Sequence, residues 1–359
     1  MLFPVCQVGS ESGPPGKITA GNLGKRAHYL NFACFQNKLG TYNRRKVHLA
    51  LKPDARPIFL KARPVPFPRQ KLVLQKLDEL EQLGIITPIA YSPWATPLVI
   101  VPKQNPPDEF GADGPADDTR ICGDYRSTFN GQLEIEQFPL KTPDQLFAKL
   151  DGQPSFSRFD LKLAYAQLEV AEESAVMMTI NTPNGLYKVN RLAFGIASAP
   201  AIFARVLNEE LKDLPGVVMF LDDVLVMGST EPELIKREEA LLERLSNLGF
   251  ALNLDKSRFD ERVIRYLGFQ VSGGCISSLP ERVEALHNAP PPTNVTELKS
   301  FLGHLTFYDH FCKNSASVAA PLYESLKKQV PFVWEEAQQR AFQETKELMC
   351  SEAVWATTL

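Results

Sequence analysis

The sequence predicts an α+β fold in which antiparallel β-hairpins pack against amphipathic helices. Residues 217–227 form two short apolar runs, which are typical of the buried strands of a hairpin. A second hairpin is indicated by the turn signal Pro183-Asn184-Gly185 between two further strand-like runs. A long helix is predicted over residues 231–248, because its leucines share one side, Thr230 can cap its start and Gly249 can end it.

The same patterns predict the other elements. We expect helices near 70–83, 142–150, 199–211, 296–311, 318–328 and 335–349, and strands near 97–101, 120–123, 155–160, 250–254 and 264–272. Residues 1–45 cluster Gly and Pro without a lasting helical or strand period, so we expect an irregular leader there. The Pro-rich spacing that follows indicates an extended arm.

Composition narrows the class of protein. A chain of 359 residues with 44% hydrophobic residues can bury a substantial core. Its six cysteines form no Cys-x-x-Cys pair, which argues against a zinc module or a disulfide framework and fits a reducing compartment. We expect no secretory signal and no membrane span, because the chain lacks the required apolar runs. The net charge of −3 does not by itself indicate a nucleic-acid binder.

The hairpin over 217–227 carries two adjacent acids, Asp222 and Asp223, at the junction of its strands. Tight hairpin turns favour Asn-Gly or Asp-Gly, and two like charges beside an apolar sheet are costly unless a cation neutralises them. The pattern therefore indicates a site for a hard divalent metal. The alternative is an exposed turn that happens to carry two aspartates.

A third acid, Asp160, ends the strand predicted over 155–160. Three convergent carboxylates can hold two Mg²⁺ ions, as phosphoryl-type transfer requires. Asp160 has an alternative role as the N-cap of a following helix. Glu169 or Asp124 are alternative carboxylates for the same site, and spacing does not decide between these sets.

Seven short blocks follow one another in the sequence. They are Ser92-Pro93-Trp94-Ala95, Arg120-Ile121-Cys122-Gly123-Asp124-Tyr125, Phe159-Asp160-Leu161-Lys162 with Ala164-Tyr165, Leu192-Ala193-Phe194-Gly195 through Phe203, Phe220-Leu221-Asp222-Asp223, Tyr266-Leu267-Gly268-Phe269, and Pro290-Pro291-Pro292 through Gly303. In this order the blocks resemble reverse transcriptases, and in particular the pol polyprotein of gypsy-type LTR retrotransposons. The similarity runs from about Lys46 to the C-terminus. Together the blocks are specific, although each alone is weak.

The resemblance implies a right-hand polymerase that copies RNA or DNA templates into DNA. Its antiparallel palm sheet would pack on helices. The implied domains are a leader over 1–45, an N-terminal arm and fingers over 46–145, a palm with part of the fingers over 146–276, and a thumb with the start of the connection over 277–359. The implied partners are a template-primer, dNTPs and other retroelement polyprotein products. The implied location is a cytoplasmic retroelement particle, with the nucleus as an alternative.

The resemblance also implies a role for individual residues. Asp160, Asp222 and Asp223 fall on the metal-binding aspartates, with the Leu161 carbonyl as an extra ligand, for two Mg²⁺ ions or alternatively Mn²⁺. The remaining roles are a sugar-sensing aromatic at Tyr165, cations for the triphosphate at Arg120 and Lys103, base contacts at Phe194 and Gly195, and a primer grip at Leu267, Gly268 and Phe269. The alternatives are a core aromatic for Tyr165, solvated surface charge for the cations, and ordinary strand packing for Leu267 and Phe269.

Some features depart from the family pattern. Phe220 replaces the usual Tyr, which removes a hydroxyl but no metal ligand. Residues 104–119, between the two triphosphate cations, contain five acids and no base, and these should repel a triphosphate. Gly123 stands where Val or Ala is usual.

We expect a fragment that lacks ribonuclease H and integrase. Its function is RNA-directed DNA polymerisation or, alternatively, that of a catalytically silent remnant that at most binds nucleic acid. A palm-type nucleotide cyclase would explain the paired acids but none of the later blocks.

Overall fold

The computed structural model describes residues 24–36, 38–102, 119–150, 152–220, 223–273, 275–279, 281, 284–285, 288–308, 315–327 and 332–350. The chain divides into two compact units. The larger unit contains the described residues of 10–146 and 156–261, and the smaller one contains those of 147–155 and of 262 onward.

The larger unit combines two sheets with helices. Its elements in chain order are α1 (Phe67–Gln82), β1 (Ile86–Ile89), β2 (Thr96–Pro102), β3 (Thr119–Gly123), α2 (Pro143–Leu150, which continues into the smaller unit), β4 (Ser155–Leu161), α3 (Glu172–Met177), β5 (Ile180–Thr182), β6 (Gly185–Val189), α4 (Ala199–Leu211), β7 (Val217–Phe220), β8 (Asp223–Gly228), α5 (Glu231–Leu248) and β9 (Leu252–Glu261). Short 3-10 helices cover Gly24–Asn31, Ala33–Phe35, Tyr125–Ser127 and Ala164–Gln167.

The first sheet has five strands in the order β1-β6-β5-β2-β3. Its β5–β6 hairpin closes at Thr182 and Gly185, as the Asn-Gly signal predicted. Strand β2 pairs with β5 in parallel and with β3 in antiparallel orientation, where Val101 lies opposite Arg120.

The second sheet has four strands in the order β7-β8-β4-β9. Strands β7 and β8 form the predicted hairpin, with Phe220 paired to Asp223. Residues 224–228 of β8 are all buried, because α5 packs on this strand and Val224 and Val226 join the main core. The β4–β9 ladder is irregular, with register shifts on both sides of Arg158.

Helix α5 has the ends that the sequence predicted. The Thr230 side chain accepts a hydrogen bond from the Glu233 amide, and Gly249 takes the left-handed conformation with φ +80°. Its buried stripe contains Leu234, Leu241 and Leu245, which pack in the core shared with α4.

The smaller unit contains an antiparallel sheet and helices. Its elements are β10 (Val263–Tyr266), β11 (Phe269–Ser272), β12 (Cys275–Ser278), α6 (Val295–Tyr308), α7 (Ser315–Val318), α8 (Ala320–Glu324) and α9 (Glu336–Cys350). Helix α9 packs on α7 and α8, and Phe301 meets Phe342 with ring centroids 4.6 Å apart.

Several expectations need correction. The irregular leader is wrong for residues 24–35, which form two 3-10 helices with Tyr29 and Cys34 fully buried. The single helix over 318–328 is instead α7 and α8, because Pro321 lacks the amide needed to continue a helix and sits in the first turn of α8. The strand near 250–254 extends over all of β9, and 264–272 is the β10–β11 hairpin. Strands β1 and β12 had not been predicted.

Candidate active site

Two of the predicted metal-binding acids lie on neighbouring strands of one sheet. Asp160 is the penultimate residue of β4, and Asp223 is the first residue of β8, which is hydrogen-bonded to β4. Both side chains are half-buried. Asp222 lies outside the described residues, and among the described residues no three His, Cys, Asp or Glu side chains form a metal-binding group.

The surroundings of Asp160 are those of a partly buried strand residue and not of a helix cap. Burial raises the pKa of the Asp160 carboxyl, and the nearby charges of Lys256 and Arg158 oppose that rise. The alternative N-cap role is wrong, because Asp160 lies inside β4 and the next 3-10 helix begins after Leu163 without a side-chain cap. A partly buried carboxylate is a hard oxygen ligand, so Asp160 and Asp223 fit a divalent metal such as Mg²⁺. Leu161 is buried at the end of the same strand, and the role of its carbonyl stays a prediction.

The two alternative carboxylates form ion pairs elsewhere. Glu169 lies 3.6 Å from Lys46 and 3.7 Å from Arg191. Asp124 accepts a hydrogen bond from Arg63 at 2.5 Å. Both acids are therefore paired with cations, and Asp160 is the acid whose strand neighbours that of Asp223.

Tyr165 and Phe194 are in contact, and their roles in a nucleotide site stay a prediction. Their ring centroids are 4.8 Å apart, and Tyr165 also meets Phe203 of α4 at 5.4 Å. Phe203 is fully buried, Tyr165 is 9% exposed and Phe194 is 43% exposed. The pair therefore presents an aromatic surface that runs from the core to solvent.

Gly195 continues this surface in a loop that requires glycine. Its φ of +89° is in the left-handed region, which side chains rarely adopt. Asn130 supports the loop, because its Nδ2 donates to the Gly195 carbonyl at 2.8 Å and its Oδ1 accepts from the Ala197 amide at 3.0 Å. The sequence analysis missed Asn130, and its only local signal was the turn composition around Asn130-Gly131.

The predicted triphosphate cations are only partly described. Arg120 is exposed on β3. At the end of the same strand, the Gly123 carbonyl lies 3.5 Å from where a Cβ on Gly195 would be, so β3 ends beside the Phe194–Gly195 loop. Lys103 and the acids of 104–118 lie outside the described residues.

The predicted primer grip is the turn of the β10–β11 hairpin in the smaller unit. Tyr266 pairs with Phe269, so Leu267 and Gly268 form a two-residue turn. Their φ values of +53° and +83° match the left-handed turn that tight hairpins use, although Leu is an unfavourable residue there. Phe269 is 3% exposed and meets Phe147 at 5.3 Å, so its side chain is part of the core.

Sequence comparison connects this geometry to a family. Residues 124–271 match the family described as reverse transcriptase (RNA-dependent DNA polymerase), and this range includes the acids and the aromatic pair. The chain carries a reverse transcriptase domain.

Proteins similar to this chain include retrotransposon polyproteins. The chain is 31% identical over 328 residues to the retrovirus-related Pol polyprotein from transposon opus of Drosophila melanogaster, covering 86% of this chain and 32% of the relative. It is 29% identical over 314 residues to the corresponding polyprotein from transposon gypsy, covering 84% and 30%. The chain thus spans about a third of the length of these relatives.

Solved structures with the same fold include a foamy viral protease-reverse transcriptase in complex with double-stranded DNA. The TM-score is 0.80 at 21% identity, covering 92% of this chain and 58% of that one. This likeness shows the fold, in which helices combine with mainly antiparallel sheets. Within the described part of the chain, no helix has both the length and the apolar character needed to cross a membrane.

Proposed function

We propose that this chain is an RNA-directed DNA polymerase that adds dNTPs to a primer 3′-hydroxyl with two Mg²⁺ ions. The observation that supports this most directly is the adjacency of β4 and β8, because it gives Asp160 and Asp223 one sheet within a reverse transcriptase domain. Polymerases of this class need charge neutralisation and positioning rather than covalent chemistry.

Asp160, Asp222 and Asp223 would hold the metal ions, with the Leu161 carbonyl as an additional ligand and Mn²⁺ as an alternative ion. When bound, the ions lower the pKa of the attacking hydroxyl and neutralise the triphosphate and its leaving group. The chain itself contributes the half-buried position of Asp160. Burial there raises the pKa of the carboxyl although Lys256 and Arg158 oppose the rise, so a bound cation would further favour the charged carboxylate.

The nucleotide would lie against the aromatic surface of Tyr165 and Phe194. The Tyr165 ring packs on Phe203 in the core and on Phe194 nearer the surface, and this packing would hold it in place to exclude a ribose 2′-hydroxyl. The Phe194–Gly195 loop would contact the base, and Arg120 and Lys103 would bind the triphosphate. The planar guanidinium group of an arginine can donate two parallel hydrogen bonds to a phosphate.

The same proposal assigns the substrates, the domains and the location of the protein. Template-primer would be RNA or DNA paired with a DNA primer, gripped by the turn at Leu267 and Gly268 and by Phe269. The fingers would occupy 46–145, the palm 146–276 and the thumb 277–359. The protein would act in a cytoplasmic retroelement particle, with the nucleus as the alternative, together with other products of the polyprotein.

A primer-extension assay tests the proposal. The purified chain should extend a labelled DNA primer on RNA and DNA templates when Mg²⁺ is present. Asp160→Asn and Asp223→Asn should reduce extension below detection, because an amide carries no charge to balance the metal. Asp213→Asn is the matched control, since Asp213 is an exposed acid paired with Arg244, and this variant should keep full activity.

Two results would contradict the proposal. Extension that survives Asp160→Asn would remove this acid from the metal site. A wild-type chain that binds primer-template but adds no nucleotide would instead favour the catalytically silent remnant.

A further inference from the structure

The turn between Asp160 and Tyr165 is strained. Leu163 separates β4 from the 3-10 helix that carries Tyr165, and its φ of 49° and ψ of 50° are left-handed. This conformation is unfavourable for residues other than glycine and persists only where surrounding contacts hold it. The Leu163 side chain is 46% exposed, so burial of that side chain is not what holds the turn.

The side chain that holds the turn is Gln167, which is fully buried. Its Nε2 donates to the Lys162 carbonyl at 2.7 Å and to the Ala251 carbonyl at 2.9 Å. Its Oε1 accepts from the Ala251 amide at 2.7 Å. The Ala251 carbonyl also accepts from the Lys162 amide at 3.0 Å. The Gln167 amide group therefore binds the residue before Leu163 and ties it to the start of β9.

The segment around Gly40 packs against the Gln167 side chain. A Cβ on Gly40 would overlap Gln167 Oε1 and lie 2.5 Å from the Ala251 amide nitrogen. The Tyr42 amide donates to the Gln167 carbonyl at 2.8 Å. Gln167 therefore cannot shift without displacing either the Lys162–Leu163 turn or this segment.

We propose that Gln167 is a positioning residue that fixes Tyr165 relative to Asp160 and thereby sets the discrimination between deoxyribonucleotides and ribonucleotides. The inference rests on the proposed function, because Tyr165 senses a sugar only if the chain binds nucleotides. Gln167 does not face the nucleotide itself. It acts through the turn, and the 3-10 helix of Tyr165 ends on Gln167.

The first test compares nucleotide selectivity in the full chain. Gln167→Met keeps the length of the side chain but removes its hydrogen bonds. Since small displacements of a positioned group cost up to ~100-fold in rate, we expect the ratio of kcat/KM for a dNTP to that for the matching rNTP to fall about tenfold or more. Asn181→Leu is the control, because it also removes a side-chain amide, but one outside the turn: Asn181 Nδ2 donates to the Leu60 carbonyl, with a donor–acceptor distance of 2.9 Å. It should leave the ratio unchanged.

A second variant reaches the same contact without changing Gln167. The new Cβ of Gly40→Ala would press on Gln167 Oε1 and also on the backbone at Ala251 N and Gly249 O. This variant should therefore also lower the ratio, whereas Gly131→Ala adds a Cβ that meets nothing within 4 Å and should not. The ratio measured in Gly40→Ala is the deciding result if Gln167→Met does not fold.

Three outcomes would overturn the inference. The ratio could stay at the wild-type value in every folded variant at Gln167 and Gly40 that still extends primer, which would leave the proposed function intact. The ratio could fall equally in Asn181→Leu, which would show a general loss of structure. A wild-type chain that incorporates no nucleotide would overturn the proposed function and this inference together.

Discussion

The buried carboxylate of Glu238 on α5 depends on a residue near the start of the chain. Glu238 is fully buried and accepts hydrogen bonds from Arg26 Nε at 2.7 Å, Tyr29 Oη at 2.7 Å and Ser157 Oγ. Arg26 also lies 3.6 Å from Asp260. Replacement of Arg26 by Ala removes the cation and leaves the carboxylate buried with two hydroxyl donors.

The expected loss of stability follows from these contacts. Removing one partner of a buried ion pair costs about 3–5 kcal/mol. The lower value applies here, because the Tyr29 and Ser157 hydroxyls remain. In addition, Arg26 Nη2 is buried without a hydrogen-bond partner in the described part of the chain, which reduces what Arg26 contributes. Arg26→Ala should therefore destabilise the protein by about 3 kcal/mol. This corresponds to a fall in Tm of about 6–12 °C at the roughly 2–4 °C per kcal/mol of a domain of 150–250 residues.

Urea unfolding followed by far-UV circular dichroism measures this effect. Arg45→Ala is the matched control, because Arg45 pairs with Glu209 where both side chains are nearly half exposed, and it should cost at most ~1 kcal/mol. The double variant Arg26→Met, Glu238→Leu should be more stable than Arg26→Ala, since it leaves no unpaired buried charge. Equal stabilities for Arg26→Ala and Arg45→Ala would refute the reasoning.

Two further predictions concern a helix cap and alkaline pH. Thr230→Ala should cost about 1 kcal/mol in urea unfolding, because Thr230 Oγ1 accepts from the Glu233 amide at 3.4 Å; an unchanged unfolding midpoint would show that the cap contributes nothing. Burial, together with the hydrogen bond to Glu210, raises the pKa of Tyr42 to about 12. Since the unfolded tyrosine titrates near 10, the unfolded state binds fewer protons above that pH, and stability should fall between about pH 10 and 12. Tyr42→Phe should reduce this slope by up to ~1.4 kcal/mol per pH unit, and identical slopes in both proteins would contradict the assignment.

Local sequence was sufficient for several elements of the fold. The cap at Thr230 and the left-handed Gly249 defined α5 to the residue, and the apolar runs defined the β7–β8 hairpin. Both rest on hydrogen bonds between residues that are close in the chain, and those residues carry the signal themselves.

The candidate site was predictable only in part. Motif resemblance predicted roles for Asp160, Asp223 and Tyr165, but only the order of strands makes β4 and β8 neighbours. Asn130 and Gln167 carried no signal that separates them from ordinary polar residues. Asn130 binds the Gly195 carbonyl 65 residues away, and Gln167 binds Ala251 84 residues away in addition to the nearby Lys162 carbonyl. A hydrogen bond over such a long separation exists only once the chain path is fixed.

Glu238 illustrates which information the sequence contains and which only the tertiary structure supplies. Its position four residues after Leu234 and three before Leu241 puts it on the apolar stripe of α5, so its burial was readable from helical periodicity. The identity of its partner was not, because Arg26 lies 212 residues away in a segment without a pattern of its own. A buried charge requires a counter-charge, but which one it meets depends on how the chain returns to that helix.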